Sequence, residues 1–248
     1  MSFKGVMDYF QFSSLVQRKF RYALNVEIQT FLSNVLETSS SRVATVPQGQ
    51  SYWRAQIGHE ETEKEDMCIA QYPFSTKRML PDYTLTGNGR ISPKGIATLY
   101  LASTKSTAMS EARPWKQSQV SCARFVTSRS LRIIDCSVHA DRCMLGIGCN
   151  TPQEIQELIW SQIDNAFSKP VSVGDESSSY IPTQILAELF KANGFDGVGY
   201  KSSLTTDGYN LALFELDSAV MADCQLFTVK NIAFEFTEAS QLMRATNK

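Results

Sequence analysis

The chain has 248 residues, 43% of them hydrophobic and 20% charged, with 24 basic residues against 25 acidic ones. This is an ordinary globular composition, and its balance excludes the bulk excess of lysine and arginine that holds nucleic acid by phosphate neutralisation. No stretch reaches the ~18 uninterrupted apolar residues of a membrane-spanning helix. Met1-Ser2-Phe3-Lys4-Gly5 also lacks the basic-then-apolar layout of a signal peptide, so we expect a cytoplasmic protein with neither a membrane nor a direct nucleic-acid partner.

Over residues 9–36 the apolar side chains recur at helical spacing, most clearly at Ile28, Phe31, Leu32, Val35 and Leu36, which predicts one or two helices. Thr38-Ser39-Ser40-Ser41 ends that pattern, and Pro47-Gln48-Gly49 reads as a turn. Residues 1–45 are therefore expected to form a helical extension packed on a core of residues 46–248. Residues 51–57 are strand-like, and the charge run that starts at His59-Glu60-Glu61 and ends at Asp66 reads as a solvated loop. Strands are predicted at 98–102, 119–126 and 131–134, with a helix over 107–113 stopped by Pro114.

Thr151-Pro152-Gln153-Glu154 is a capping box with proline at the first helical position, and Ile155, Leu158, Ile159, Ile163 and Phe167 follow on one face. The serine-rich residues 173–179 read as a loop. A further helix is predicted over 181–193, with Gly194 as its stop. Strands follow near 198–200, 211–214, 225–229 and 232–236. Strands outnumber helices and do not alternate regularly with them, which predicts an α+β domain rather than a doubly wound one.

The six cysteines, at 68, 122, 136, 143, 149 and 224, contain no C-x-x-C pair, and a chain of this length builds a core without disulfides. Cys136, His139, Cys143 and Cys149 crowd together, but separations of three, four and six do not match the paired knuckles of structural zinc sites, so no metal is expected. With His59 and His139 as the only histidines and no G-x-S-x-G elbow, mechanisms built on a histidine base have few candidates.

Three segments look unlike packing. Tyr52-Trp53-Arg54-Ala55 is a strand carrying an arginine beside two large aromatics. A loop Gly87-Asn88-Gly89-Arg90-Ile91-Ser92-Pro93-Lys94-Gly95 runs on to Tyr100 and Glu111. Asp196-Gly197-Val198-Gly199-Tyr200-Lys201-Ser202-Ser203 is a strand ending in paired serines. Taken singly, each has a plain packing or turn role, and Pro93 rules out the helix that a dinucleotide fingerprint would need after the glycines.

Together the three segments resemble the RES domain family. The strings that match are Tyr52-Trp53-Arg54-Ala55, Gly89-Arg90-x-Ser92-Pro93-x-Gly95, Leu99-Tyr100-Leu101-Ala102, Thr107-Ala108-x-x-Glu111, Asp196-Gly197-x-x-Tyr200-x-Ser202 and Asn210-Leu211-Ala212-Leu213-Phe214. They lie in family order over roughly residues 50 to 215. Ser92 stands where the family often has asparagine. The resemblance implies an ADP-ribosyltransferase-like fold, a mixed β-sheet core with flanking helices, in an enzyme that cleaves the nicotinamide–ribose bond of NAD. NAD is then a substrate, no cofactor is implied, and inorganic phosphate is a co-substrate if the enzyme is a phosphorylase rather than a glycohydrolase. It also implies a toxin silenced by a helix-turn-helix antitoxin that covers the active site. Arg54, Glu111 and Ser202 are the implied catalytic residues. Arg54 and Arg90 would meet the pyrophosphate, Tyr100 and Tyr52 the nicotinamide, and Ser203 is the alternative serine. Transfer of ADP-ribose to a protein, and a silent nucleotide-binding module, are the other readings of the same residues.

Overall fold

The computed structural model describes residues 3–63, 69–138, 151–169 and 176–233. The chain begins with helices α1 (Asp8–Arg18) and α2 (Val26–Thr38), and Asn25 caps α2 by accepting the backbone N–H of Ile28. Strands β1 (Val43–Val46), β2 (Ser51–Ile57), β3 (Glu60–Glu63) and β4 (Ile69–Tyr72) follow, then the single turn α3 (Thr76–Met79). Next come β5 (Leu99–Ala102), α4 (Lys105–Glu111), β6 (Gln119–Thr127) and β7 (Leu131–Asp135). Helices α5 (Pro152–Ser168), α6 (Glu176–Ser179) and α7 (Ile181–Ala192) lead to β8 (Gly197–Lys201), β9 (Tyr209–Leu213) and β10 (Ala219–Thr228). The capping box at Thr151 forms as its sequence dictates, with Thr151 and Glu154 each bonding the other's backbone N–H.

Eight strands make one mixed sheet in the order β1-β7-β8-β9-β5-β2-β6-β10, and β3-β4 is a separate hairpin. Among the described strands, β7 and β8 alone pair in parallel, joined by the segment that carries α5 to α7. The domain is therefore α+β. On one face, Ile134, Val198, Tyr200 and Ala212 pack against α1, α2, α5 and α7, where Trp160, Phe167 and Phe190 are wholly buried. Each such side chain contributes roughly 1.5–3 kcal/mol of transfer free energy. The N-terminal helices share this core, because Phe12, Ile28 and Val35 belong to it and Thr38 accepts the Trp160 indole N–H at 3.0 Å.

The opposite face forms a second core from Val46, Tyr52, Leu99, Leu101, Phe125, Leu131, Ile133, Leu211 and Leu213. Among the described residues, Met79, Phe74, Leu80 and Leu216 are its main contributors from outside the strands, too few to cover an eight-stranded face.

Four local expectations change. The acidic run is not all loop: Gly58, at φ 111°, turns the chain so that Glu60–Glu63 pairs with Ile69–Tyr72, while residues 64–66 lie outside the described ones. The strand expected at 225–229 is the second half of β10, which starts at Ala219; a bulge between Met221 and Asp223 breaks the alternation that would have revealed it. Residues 231–233 form no strand, and 234–236 lie outside the described residues. Residues 176–179 of the serine-rich segment form α6. Of the four clustered cysteine and histidine residues, Cys136 is buried, and His139, Cys143 and Cys149 lie outside the described residues.

Candidate active site

The cleft arises where the sheet splits. β2 and β5 pair only at Trp53 and Ala102. A ladder continuing past this pair would set Ala55 opposite Tyr100, but the strands diverge, and the Tyr100 carbonyl accepts Arg54 Nη1 at 3.2 Å instead. Two cavities meet at this split, with Arg54 and Tyr100 lining both. The smaller, of about 260 Å³, is floored by one row running across four strands, Tyr200, Asn210, Ala102 and Trp53, each directly opposite the next. The larger, of about 640 Å³, extends under α3 and along the loop of residues 80–92.

Helix α4 carries Glu111 to the rim of the smaller cavity. Thr104 caps it by accepting the Thr107 N–H at 3.0 Å, a cap worth about 1 kcal/mol. The Thr107 hydroxyl then joins Thr104 at 2.7 Å and Thr205, in the loop after β8, at 3.1 Å. Gly208 closes this contact, since a Cβ there would stand 2.0 Å from Thr107 Oγ1 and 2.5 Å from Thr205 Oγ1. Thr104, Thr107, Ala108 and Glu111 share one face of the helix at the three-, four- and seven-residue spacings. Fixing its first turn therefore aims its last residue.

The result is a carboxylate held at one oxygen. Ser202 Oγ and Asn210 Nδ2 both donate to Glu111 Oε1, each at 2.8 Å. Ser202 is buried, and its oxygen accepts the Leu204 N–H at 3.2 Å, so its single proton is committed to Glu111. That arrangement fixes Ser202 on Glu111 and holds the carboxylate oxygen in place. Ser203 is exposed and lies outside this set.

Arg54 is half-buried, and its Nε is buried with no hydrogen-bond partner. Burial, with Arg78 nearby acting in the same direction, pushes its guanidinium down to about 10, so it remains charged at neutral pH, and among the described residues no carboxylate forms an ion pair with it. Tyr100 pins the glycine loop: its hydroxyl accepts the Ile91 N–H at 2.9 Å, and a Cβ on Gly89 would come within 3.0 Å of that oxygen. Burial raises the Tyr100 phenol.

The structure directs two of the expected residues elsewhere. Arg90 lines neither cavity: its guanidinium donates to the Phe167 carbonyl in the last turn of α5 and lies 5.9 Å from the Tyr180 ring centre. A helix's terminal carbonyls and its dipole both favour a cation there. Tyr52 points to the second core, where its hydroxyl meets Tyr209 at 3.3 Å and the two rings stand edge to face.

Three residues not singled out from the sequence join the site. Asn210 is a buried amide in a strand of leucine and alanine, a polar intrusion that is itself the signal. Tyr200 floors the smaller cavity and stacks on Phe167 at 5.9 Å, and burial raises its phenol. Arg78, on a helix too short for any periodicity, lines the larger cavity.

No curated protein matches the chain. Among solved structures, a chain of the M. tuberculosis MbcT–MbcA toxin–antitoxin complex is similar over 79% of this chain and 92% of its own, at 12% identity and a TM-score of 0.40. The RES domain model matches residues 52–236, a span that takes in β2 with Arg54, α4 with Glu111, Ser202 at the end of β8 and Asn210 on β9. The chain belongs to the RES domain family.

Proposed function

We propose that the protein consumes NAD by cleaving the bond between nicotinamide and ribose, as a glycohydrolase or phosphorylase, and that it is the toxin of a toxin–antitoxin pair. The observation that carries this reading is the clamping of Glu111 Oε1 by Ser202 and Asn210 beside the uncompensated Arg54. In this reaction the C1′–N bond breaks with its electron pair going to the pyridinium nitrogen. Nicotinamide leaves neutral and the ribose becomes oxocarbenium-like. The site therefore needs a fixed negative charge beside the ribose more than a strong acid.

Two donors on Oε1 leave Oε2 to accept a ribose hydroxyl and to face the developing positive charge. The clamp holds the carboxylate before the substrate arrives, so little reorganisation is needed at the moment of reaction. Water attacking C1′ gives ADP-ribose and releases a proton; phosphate attacking there gives ADP-ribose 1″-phosphate. Tyr200 and Trp53 supply the flat walls suited to a nicotinamide ring. An antitoxin covering the cleft is the macromolecular partner of this reading.

The test is to incubate the purified chain with NAD, with and without phosphate, and to quantify free nicotinamide and the ribosyl product. Nicotinamide release with ADP-ribose indicates hydrolysis, and release that depends on phosphate indicates phosphorolysis. NAD left intact under both conditions refutes the proposal.

A further inference from the structure

Resting on the NAD reading above, we infer that the diphosphate of the ligand is gripped by Arg54 together with Arg78, across the mouth of the larger cavity, and that Arg90 is a structural clamp. The two arginines line one cavity from different elements, Arg54 from β2 and Arg78 from α3. Neither forms an ion pair among the described residues. Two guanidinium groups facing one space repel each other, and a bound dianion relieves that repulsion while offering oxygens to both planar forks.

Arg78 is held ready for this role by its neighbours. Met79 beside it is wholly buried in the second core, the Arg78 carbonyl accepts Gln56 Nε2 from β2 at 3.3 Å, and its guanidinium lies 4.9 Å from the Phe74 ring centre. Ser75, the cap residue of α3, gives both its N–H and its hydroxyl to Glu60 Oε1 at 3.0 and 2.7 Å. The hairpin strand thus fixes the start of α3, and the core fixes its end.

Two carboxylates and one more cation also line this cavity. Glu60 is engaged by Ser75, and Asp82 Oδ1 accepts from both the N–H and the hydroxyl of Thr84. Lys77 lies close enough to Asp82 to favour its ionised form. Arg54, Arg78 and Lys77 outnumber Glu60 and Asp82 in this lining, so the cavity keeps a net positive charge, and neither arginine is paired with a carboxylate among the described residues. Leu80, Pro81 and Leu85 supply an apolar wall beside the arginine pair, fit for the flat face of a base. The ligand class this predicts is a nucleoside diphosphate, with the base against that wall and the phosphates between the two arginines.

Arg90 has a different commitment. Its guanidinium is bonded to Phe167 and its own carbonyl accepts the Thr183 hydroxyl at 2.6 Å, so it ties the glycine loop to both α5 and α7.

The experiment measures ADP and adenosine binding to the full chain and its Arg78→Gln and Arg90→Lys variants by calorimetry, with NAD turnover run in parallel. We expect ADP affinity to fall about tenfold or more in Arg78→Gln, adenosine affinity to stay unchanged there, and Arg90→Lys to bind ADP within about twofold of the unaltered chain. In turnover, Arg78→Gln should raise KM about tenfold with kcat nearly constant. Absence of ADP binding by the unaltered chain, an unaffected Arg78→Gln, or a loss in Arg90→Lys equal to that in Arg78→Gln each overturns the inference. ADP binding that depends on Arg78 in a chain that leaves NAD intact supports the arginine pair while removing the catalytic reading.

Discussion

The two walls of the cleft are built in opposite ways. Around Glu111 nearly every polar group is committed: two donors clamp one carboxylate oxygen, three threonine hydroxyls lock α4 to the loop after β8, and Gly208 leaves them room to meet. Around Arg54 the reverse holds, with a buried Nε that has no hydrogen-bond partner among the described residues and a second arginine nearby. A carboxylate that must stabilise a brief charge gains from being fixed in advance, whereas a cation that must hold a ligand gains from being left unsatisfied until the ligand arrives. Under the proposed function, this difference in satisfaction separates a reacting wall from a binding wall.

The largest effect should come from the reacting wall. Glu111→Gln keeps the shape and an acceptor for Ser202 and Asn210 but removes the charge, so kcat for NAD cleavage should fall about 10³-fold with little change in melting temperature. A variant retaining more than a tenth of the activity would break the distinction between the walls.

Ser202→Ala and Asn210→Ala each remove one donor from Oε1, and each should lower kcat about 10- to 100-fold while leaving KM nearly unchanged. Because they act on one oxygen, the double variant should fall short of the product of the single effects. Losses that appear in KM alone would place these side chains on the binding wall instead.

Gly208→Ala tests the lock behind the carboxylate. Its Cβ would collide with Thr107 and Thr205, so thermal unfolding should report a loss of about 2–3 kcal/mol, and activity should fall with it. A fully stable variant would mean that the threonine contacts do not set the position of α4.

The smallest effect concerns the support beneath the reacting wall. Asp164 on α5 is buried and accepts the Lys201 N–H, one residue before Ser202, at 3.4 Å. Burial raises its carboxyl from an ordinary 3.8 to about 6. Between those values the folded chain holds a proton that the unfolded chain has lost, so this group's contribution to stability falls as pH rises through the window, and the penalty is complete above it. Asp164→Asn keeps an acceptor and removes the penalty. It should stabilise the protein by about 2 kcal/mol at pH 7.5 and by little at pH 4, which paired denaturation curves would show. A gain independent of pH would assign the effect to packing.

The sequence made some elements plain and hid others for identifiable reasons. β2 occupies the predicted residues, and α5 starts at its capping box, because alternation and capping are local signals. β10 was only half legible because its bulge interrupts the alternation, and α3 is a single turn. Within the site, the end of β8 separates the paired serines: Ser202 follows Tyr200 by two residues and faces the same side, and Ser203 faces away. The direction of Arg90 depends on a carbonyl 77 residues further along the chain, and no motif encodes that. Asn210 stood within a matched string, yet its role depends on pairing with Tyr200 on one side and Ala102 on the other.

The central claim is that a carboxylate held at one oxygen drives loss of nicotinamide. The most direct test is nicotinamide release from NAD by the full chain and by Glu111→Gln, side by side under identical conditions. Release by the first and at least a hundredfold less by the second, with both folded, is the expected result. Equal release by the two, or none by the unaltered chain, would contradict it.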